Sequence, residues 1–134
     1  MNDQDIERQI QANGKTAPRV TPADIEAAIV SEHYFMGSDA IQQGRATHKW
    51  NEAQGGWYLG STQLLTFCIL QLRNGFTVTG ESACASAENF DAEIGRSIAR
   101  ENAKQKIWML EGYLLKEKMA FVTLDGRPTQ GEQA

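Results

Sequence analysis

The sequence predicts an α+β fold, in which an antiparallel β-hairpin or small sheet packs against a long C-terminal helix and an N-terminal helix. Two apolar runs joined by Asn74-Gly75 predict the hairpin, because Asn-Gly is the strongest short-range signal for a tight turn between strands. A capped helical pattern follows the hairpin, and another begins at Thr21. The chain has 134 residues, which suits one domain.

Three segments are expected. Residues 1–20 are polar and form an arm, with room for a short helix around Ile6 and Ile10. A single α+β domain occupies residues 21–124, and residues 125–134 form a tail. The N-terminus is acidic and polar, unlike a signal peptide, and no apolar run is long enough to span a membrane. We therefore expect a reduced, intracellular protein with no membrane partner.

The N-terminal helix begins at Thr21, which can cap it, with Pro22 in the first helical position and Asp24 completing a capping box. An apolar stripe at helical spacing extends the predicted helix to about Tyr34, and the segment from Gly37 to Asp39 ends it. Residues 37–62 are glycine-rich and contain Trp50 and Trp57. They are typical of a long loop pinned by its aromatic residues, or of a lid over a ligand pocket.

The hairpin consists of a strand from Leu64 to Leu72 and a return strand from Phe76 to about Ser82. Both positions of the Asn74-Gly75 turn are expected to have positive φ. The first strand is apolar almost throughout, which suggests that both of its faces are covered, by helices on one side and by another subunit on the other. Gly80 interrupts the alternation and marks a bulge or a close approach by another group.

The long helix has Asn89 as its predicted N-cap, with Asp91 and Glu93 favoured by the positive helix start. Its predicted buried residues are large and apolar: Ile94, Ile98, Ile107, Leu110 and Leu114. Gly95 and Gly112 suggest close packing against another backbone, or a break near Gly112. AFVTL at 120–124 is a candidate for a final short strand.

Few residues suggest chemistry. Cys68 and Cys84 form no CxxC pair, and His33 and His48 are isolated, so we expect no metal and no cofactor. We identify no catalytic residue, because no nucleophile, phosphate-loop or metalloprotease motif occurs. The net charge of -4 argues against a general nucleic-acid binder, although a local basic patch stays open.

The candidate binding residues lie on the long helix. Arg96, Arg100 and Lys104 are four residues apart and share one helix face, which suits a phosphate-bearing ligand. From the spacing alone, the more ordinary interpretation is that this cationic helix face is exposed to solvent and that Glu93 and Glu101 balance its charge. The neighbouring hydroxyl residues and the backbone N–H groups of Asn89 and Phe90 favour an anion site. The hydroxyl residues are Thr77, Thr79, Ser82 and Ser86.

The segment from Leu64 to Met119 resembles a family of small tailed-phage and prophage proteins. The resemblance is carried by LLTFCIL, NGFTVTGESACAS, ENFDAEIGRSIARENA and KIWMLEGYLL, and TPADIEAAIVSEHYF also fits. Residues 37–62 match less well, and Ala87 stands where the family pattern has proline. The resemblance extends to the Thoeris anti-defence sponges. Those proteins bind cyclic ADP-ribose isomers made by TIR proteins without cleaving them, and some also bind cyclic oligonucleotide signals of CBASS.

The resemblance implies a phage-encoded protein that sequesters cyclic nucleotide signals in the cytoplasm of the infected host and is not an enzyme. It implies self-association, from dimers up to hexamers, with ligand sites between subunits. Carried over by motif, Arg96 and Arg100 would hold phosphate, and Asn89, Phe90 and Phe76 would flank the base or ribose. Two alternatives stay open: a phage accessory protein that binds nucleic acid or a host protein, and a hydrolase of the same signals.

Overall fold

The structure, a computed structural model, describes residues 2–15, 17–44, 47 and 60–121. It contains helices α1 (Asp3–Ala12), α2 (Pro22–Ala28), α3 (Gly37–Gln42) and α4 (Ala92–Ala120), and strands β1 (Ile29–Met36), β2 (Leu65–Leu72) and β3 (Thr77–Ala83). The predicted α+β class is confirmed, with a three-stranded antiparallel sheet, a long C-terminal helix and an N-terminal helix. The chain divides into two compact units. One is Ile29–Gln105, and the other combines Met1–Ala28 with Lys106–Ala134. Helix α4 is continuous through both.

The helical unit contains α1, α2 and the second part of α4. Helix α1 lies within the predicted polar arm and is capped by Asn2, whose side chain accepts a hydrogen bond from the Asp5 backbone N–H at 2.8 Å. None of its residues is buried. Polar contacts hold it instead: Arg19 pairs with Glu7, and the Trp108 indole N–H donates to Asp3 at 3.1 Å.

Helix α2 begins as predicted and ends earlier. Thr21 and Asp24 form the reciprocal capping contacts, with the Thr21 N–H to Asp24 carboxylate distance at 2.9 Å. The helix stops at Ala28, and the next residues form strand β1, so the prediction of a helix to Tyr34 is wrong. The segment IVSEHYFM is rich in β-branched and aromatic residues, and it pairs with β2 along its length. Gly37 begins α3; it does not end a helix.

Strand β2 is central in the order β1-β2-β3, and both neighbours are antiparallel to it. The predicted strands agree with β2 and β3 to within a residue. In the hairpin turn only Gly75 has positive φ, at 88°, so the expectation for Asn74 is wrong. The Gly75 N–H donates to the Leu72 carbonyl, and the Leu72 N–H donates to the Phe76 carbonyl, both at 2.8 Å. This is the three-residue hairpin loop with glycine in the left-handed position.

The two faces of β2 differ in burial. One face carries the buried residues Thr66, Cys68, Leu70 and Leu72. Its Cys68 is fully buried, and burial raises the pKa of this thiol. The opposite face carries Phe67, which stacks on Phe35 of β1 with ring centroids 5.1 Å apart. Phe35 is 37% exposed, so this second face is less completely covered than the first.

Helix α4 packs against the sheet through very small residues. A Cβ atom on Gly80 would lie 2.2 Å from the Ala99 carbonyl oxygen and 2.4 Å from the Ala103 nitrogen. The predicted close approach at Gly80 is therefore confirmed. Gly95 is similarly confined, because its Cβ would lie 2.9 Å from the Thr66 hydroxyl. No described atom lies within 4 Å of a Cβ built on Gly112, and α4 continues through this residue, so the expected break near Gly112 is wrong.

The buried face of α4 also differs from the prediction. Only Ile107 of the predicted set is buried, at 0% exposure. The others are 40–58% exposed: Ile94, Ile98, Leu110 and Leu114. Small residues take their place, because the helix could not approach Gly80 so closely with branched side chains between them. The buried stripe is Gly95, Ala99, Ala103 and Ile107.

Some predictions fall wholly or partly outside the described residues. Helix α4 includes Ala120, so the proposed strand at 120–124 does not begin there, and residues 122–124 lie outside the described chain. The tail at 125–134 also lies outside it. Within residues 37–62, the ends form α3 and a 3₁₀ turn at Ser61–Leu64. His48, Trp50 and Trp57 belong to the part that is not described.

Candidate functional site

The predicted cations border the contact between α4 and the sheet. Arg96, Arg100 and Lys104 each follow directly after a residue of the buried small-residue stripe. They therefore form a row along one side of the buried stripe, with Arg96 exposed and the other two partly buried. We call these three residues the cationic row. On the other side of the helix, the Asn102 side-chain amide donates to the Glu81 carbonyl of β3 at 2.8 Å and fixes the helix to that strand.

Arg100 is held by the sheet. Its Nε donates to the Glu32 carboxylate on β1 at 3.2 Å, and the Tyr34 hydroxyl donates to the other Glu32 oxygen at 3.1 Å. Burial, followed by this hydrogen bond, raises the pKa of Tyr34 to about 12. The phenol therefore stays a neutral donor at physiological pH. An anionic ligand at Arg100 would share the guanidinium with Glu32 or displace that carboxylate.

The other two cations differ in their surroundings. Lys104 lies 3.6 Å from the Glu101 carboxylate one turn away, with the Lys104 side chain 13% exposed. Arg96 is exposed, and it has no hydrogen bond or ion pair with any other described residue. It also lies closest to the start of α4. Arg96 is accordingly the member of the row that a ligand could engage without first breaking an internal ion pair.

The start of α4 is capped by Asp91, so the prediction of Asn89 as N-cap is wrong. The Asp91 carboxylate accepts a hydrogen bond from the Ile94 N–H at 3.0 Å. Asn89 lies in a separate 3₁₀ turn, Ala87–Asn89. The backbone N–H groups of Asn89 and Phe90 donate to carbonyls within that turn, each at 3.3 Å. They are therefore not directed at an external anion, and the Asp91 carboxylate already occupies the positive helix end.

The structure separates the predicted aromatic residues. Phe90 is partly buried beside Gly95, which faces Thr66 near the start of β2. Phe76 is 53% exposed in the hairpin loop, beside Leu72 at the other end of β2. Six residues of strand between Thr66 and Leu72 span about 20 Å. One copy of the chain therefore does not bring Phe76 and Phe90 to the same small ligand.

The hydroxyl residues also divide between the sheet faces. Ser82 pairs with Thr66 and shares the face that α4 covers, whereas Thr79 pairs with Ile69 on the opposite face. Thr77 lies on that opposite face as well. Thr77 and Thr79 therefore lie on the face away from α4, and neither is next to the cationic row. The expected hydroxyl-rich surroundings of the row are thus reduced to the region around Ser82.

Glu32 and Tyr34 are the residues that the sequence interpretation missed. It placed them near the end of a helix, because Ile25, Ala28 and Ile29 continue a helical stripe toward Phe35. The local composition of IVSEHYF, with two β-branched and two aromatic residues, was the available signal for a strand. Once β1 is a strand, Glu32 and Tyr34 fall on one face by simple alternation.

Two general features complete the description of the residues that the structure covers. No group of three or more histidine, cysteine, aspartate or glutamate side chains there is arranged to hold a metal ion. In the same ranges, no helix combines the length and apolarity that crossing a membrane requires.

The fold and the row of cations define a small α+β protein with a three-stranded sheet, backed by a long helix whose cations border the helix–sheet contact. The sequence profile of the phage protein (N4 Gp49/phage Sf6 gene 66) family matches residues 20–119. The match covers most of the chain and includes all three strands and almost all of α4. The chain therefore belongs to this family of phage proteins. Neither curated proteins nor solved structures give a significant match.

Proposed function

We propose that this phage protein binds and sequesters cyclic nucleotide immune signals without cleaving them. The ligands would be cyclic ADP-ribose isomers made by TIR proteins and, at a separate site, cyclic oligonucleotides. The resemblance to the Thoeris anti-defence sponges motivates the proposal. The observation that carries it is the cationic row, with exposed Arg96 next to Arg100 on a helix that is fixed against the sheet. The protein would act in the cytoplasm of the infected host.

The row suits a diphosphate. Side chains four residues apart on a helix have Cβ atoms about 6 Å apart, so two long arginine side chains can converge on the oxygens of one diphosphate. The Arg96 guanidinium can donate two parallel hydrogen bonds to the oxygens of one phosphate. Arg100 would contribute by exchanging its Glu32 partner for the second phosphate. Breaking the Arg100–Glu32 ion pair costs part of the binding energy, so ligands with two negative charges would be favoured over ligands with one.

Self-association is part of the proposal, from dimers up to hexamers. Asn89 and Phe90 lie near the end of the row that begins at Arg96, and they could contact a base or ribose there. Phe76 is about 20 Å away along the same sheet. If Phe76 also contacts the ligand, it must come from a second copy. With that contact, the ligand site would lie between subunits.

Sequestration needs no bond-breaking group. Positive charge and a stacking surface are sufficient to hold the ligand, and an intact molecule should be recoverable from the complex. The experiment is to expose the protein to the product of a TIR enzyme, remove unbound material, heat the complex and identify the released molecules by mass spectrometry. We expect an intact cyclic ADP-ribose isomer. A chemically altered ligand would instead indicate a hydrolase.

Arg96→Ala tests the row directly. We expect the amount of captured ligand to fall by about tenfold or more, because a charge-assisted bidentate contact is lost. Lys118→Ala is the matched control, since it removes an exposed cation from the same helix outside the row. Equal capture by both variants and the unmodified protein would refute a role for Arg96.

A phage accessory protein that binds nucleic acid or a host protein is the alternative. The same cationic row could contact backbone phosphates, although the net charge of the chain is -4. Absence of released nucleotide, together with DNA or RNA binding that weakens steeply with salt, would favour this alternative.

A further inference from the structure

The Glu32 carboxylate lies where two donors from different elements meet. Arg100 Nε of α4 donates to Glu32 Oε2 at 3.2 Å, and the Tyr34 hydroxyl of β1 donates to Glu32 Oε1 at 3.1 Å. Carboxylate and phosphate oxygens are both negatively charged acceptors, so the same donors suit either group. Arg100 and Tyr34 therefore form an oxyanion position, and the chain's own carboxylate fills it.

Glu32 is placed so that it can leave this position. Its side chain is 44% exposed, and β1 is an edge strand of the sheet. A displaced Glu32 carboxylate would therefore be solvated, and its movement would bury no charge. The Arg100 side chain is more enclosed, at 24% exposed. Removing Glu32 alone would take a counter-charge from a partly enclosed guanidinium, so exchange for another anion is the favourable way to release it.

The oxyanion position lies along the cationic row. Arg100 reaches Glu32, whereas about one turn earlier α4 lies against the β2 residue that pairs with Met36. Helix α4 and strand β1 thus run side by side in opposite directions. Tyr34 falls between Glu32 and Met36 on the same sheet face, toward the Arg96 end of the row. A ligand that spans Arg96 and Arg100 would pass the Tyr34 hydroxyl.

We propose that a phosphate group displaces Glu32 and accepts hydrogen bonds from Arg100 and Tyr34, so that Tyr34 binds the ligand and Glu32 is an internal competitor. This inference rests on the cationic row of the proposed function, but it requires neither self-association nor a particular nucleotide. Burial raises the pKa of Tyr34 to about 12, so the phenol is a neutral donor at physiological pH. Glu32 keeps Arg100 paired in the ligand-free protein and weakens ligand binding by the cost of the exchange.

Glu32→Gln tests the exchange. Glutamine keeps the length of the side chain and removes its charge, so the internal competitor is lost. We expect calorimetric titration to show that inorganic pyrophosphate binds about tenfold more tightly than to the unmodified protein. Glu81→Gln is the matched control, because Glu81 is exposed on the other edge strand and on the sheet face away from α4. It should leave the affinity unchanged. Circular dichroism confirms that each variant is folded.

Tyr34→Phe, made in the Glu32→Gln background, separates ligand binding from positioning. Once the Glu32 carboxylate is gone, a tyrosine that only holds this carboxylate has no further effect on the affinity. A tyrosine that donates to phosphate loses a hydrogen bond to a charged group, so we expect pyrophosphate affinity to fall by about tenfold. Equal affinities of the Glu32→Gln protein and the double variant would overturn the binding role of Tyr34.

The outcomes separate this inference from the proposed function. The unmodified protein may release an intact cyclic ADP-ribose isomer while Glu32→Gln changes neither its capture nor pyrophosphate affinity; the exchange is then overturned and sequestration stands. Tighter pyrophosphate binding by Glu32→Gln, without captured TIR product in either protein, would support the oxyanion position and count against the proposed ligand. If neither protein binds pyrophosphate or TIR product, both proposals are overturned.

Discussion

The part of α4 that faces the sheet and the part around Gly112 use small residues differently. Gly95 and Ala99 are buried, and Gly80 lies so close to the helix that a Cβ atom there would force strand and helix apart. No described atom lies within 4 Å of a Cβ built on Gly112, and its neighbours Met109 and Tyr113 are 75% exposed. Of the two glycines within α4, only Gly95 therefore has a facing element among the described residues. Three pairs of substitutions test this difference.

The largest effect is expected at the end of the buried stripe. Ile107 is 0% exposed, whereas Ile98 is 47% exposed on the same helix. We expect Ile107→Ala to lower the free energy of unfolding by about 3 kcal/mol, since it removes buried methyl groups and leaves a cavity. Ile98→Ala should cost less than about 1 kcal/mol. Chemical denaturation followed by circular dichroism measures both. Equal losses would mean that the buried side of α4 is assigned incorrectly.

The next pair compares two glycines and should give opposite signs. Gly80→Ala would place a methyl group 2.2 Å from the Ala99 carbonyl oxygen, so strand and helix must move apart. We expect a loss of about 2 kcal/mol in the free energy of unfolding. Gly112→Ala should instead gain about 1 kcal/mol, because alanine is the better helix former and the space is open. The same denaturation experiment serves for both variants.

A destabilised Gly112→Ala variant would show that another backbone approaches Gly112. That result would support the expectation of close packing at this glycine. A neutral Gly80→Ala variant would mean that the helix is not seated on the strand at this point.

How far the sequence predicts this fold depends on the range of the signals. The hairpin, the capping box at Thr21 and the long helix rest on neighbouring residues, and all three are confirmed. The helix-to-strand change after Ala28 was missed because the partner of β1 is about forty residues away, and pairing overrides a local helical stripe. The buried side of α4 was missed because apolar size was taken as the guide, whereas the contact with Gly80 selects small residues.

In the candidate site, too, features that depend on neighbouring residues were predictable and features that depend on distant contacts were not. The shared helix side of Arg96, Arg100 and Lys104 follows from spacing, and the structure has all three in one helix. The ion pair of Arg100 with Glu32 could not be foreseen, because it depends on β1 being a strand. The separation of Phe76 from Phe90 likewise depends on where the hairpin loop falls relative to α4.

The smallest stability effect distinguishes the two candidates for the start of α4. Asp91 accepts the Ile94 N–H at 3.0 Å, so Asp91→Ala should cost about 1 kcal/mol in the free energy of unfolding. Asn89 is exposed in the preceding turn, and Asn89→Ala should change stability by less than about 0.5 kcal/mol. Thermal and chemical denaturation measure these differences, and a larger cost at Asn89 would reinstate it as the N-cap.

The same pair also separates stability from binding. Because the Asn89 side chain does not cap the helix, a role for it at the ligand would appear as reduced ligand capture with unchanged stability. Asp91→Ala should do the reverse: it removes a negative charge from the helix start, which weakens the fold and makes the region more favourable to an anion near Arg96. If both variants lose capture in proportion to their stability, the start of α4 supports the fold and takes no direct part in binding.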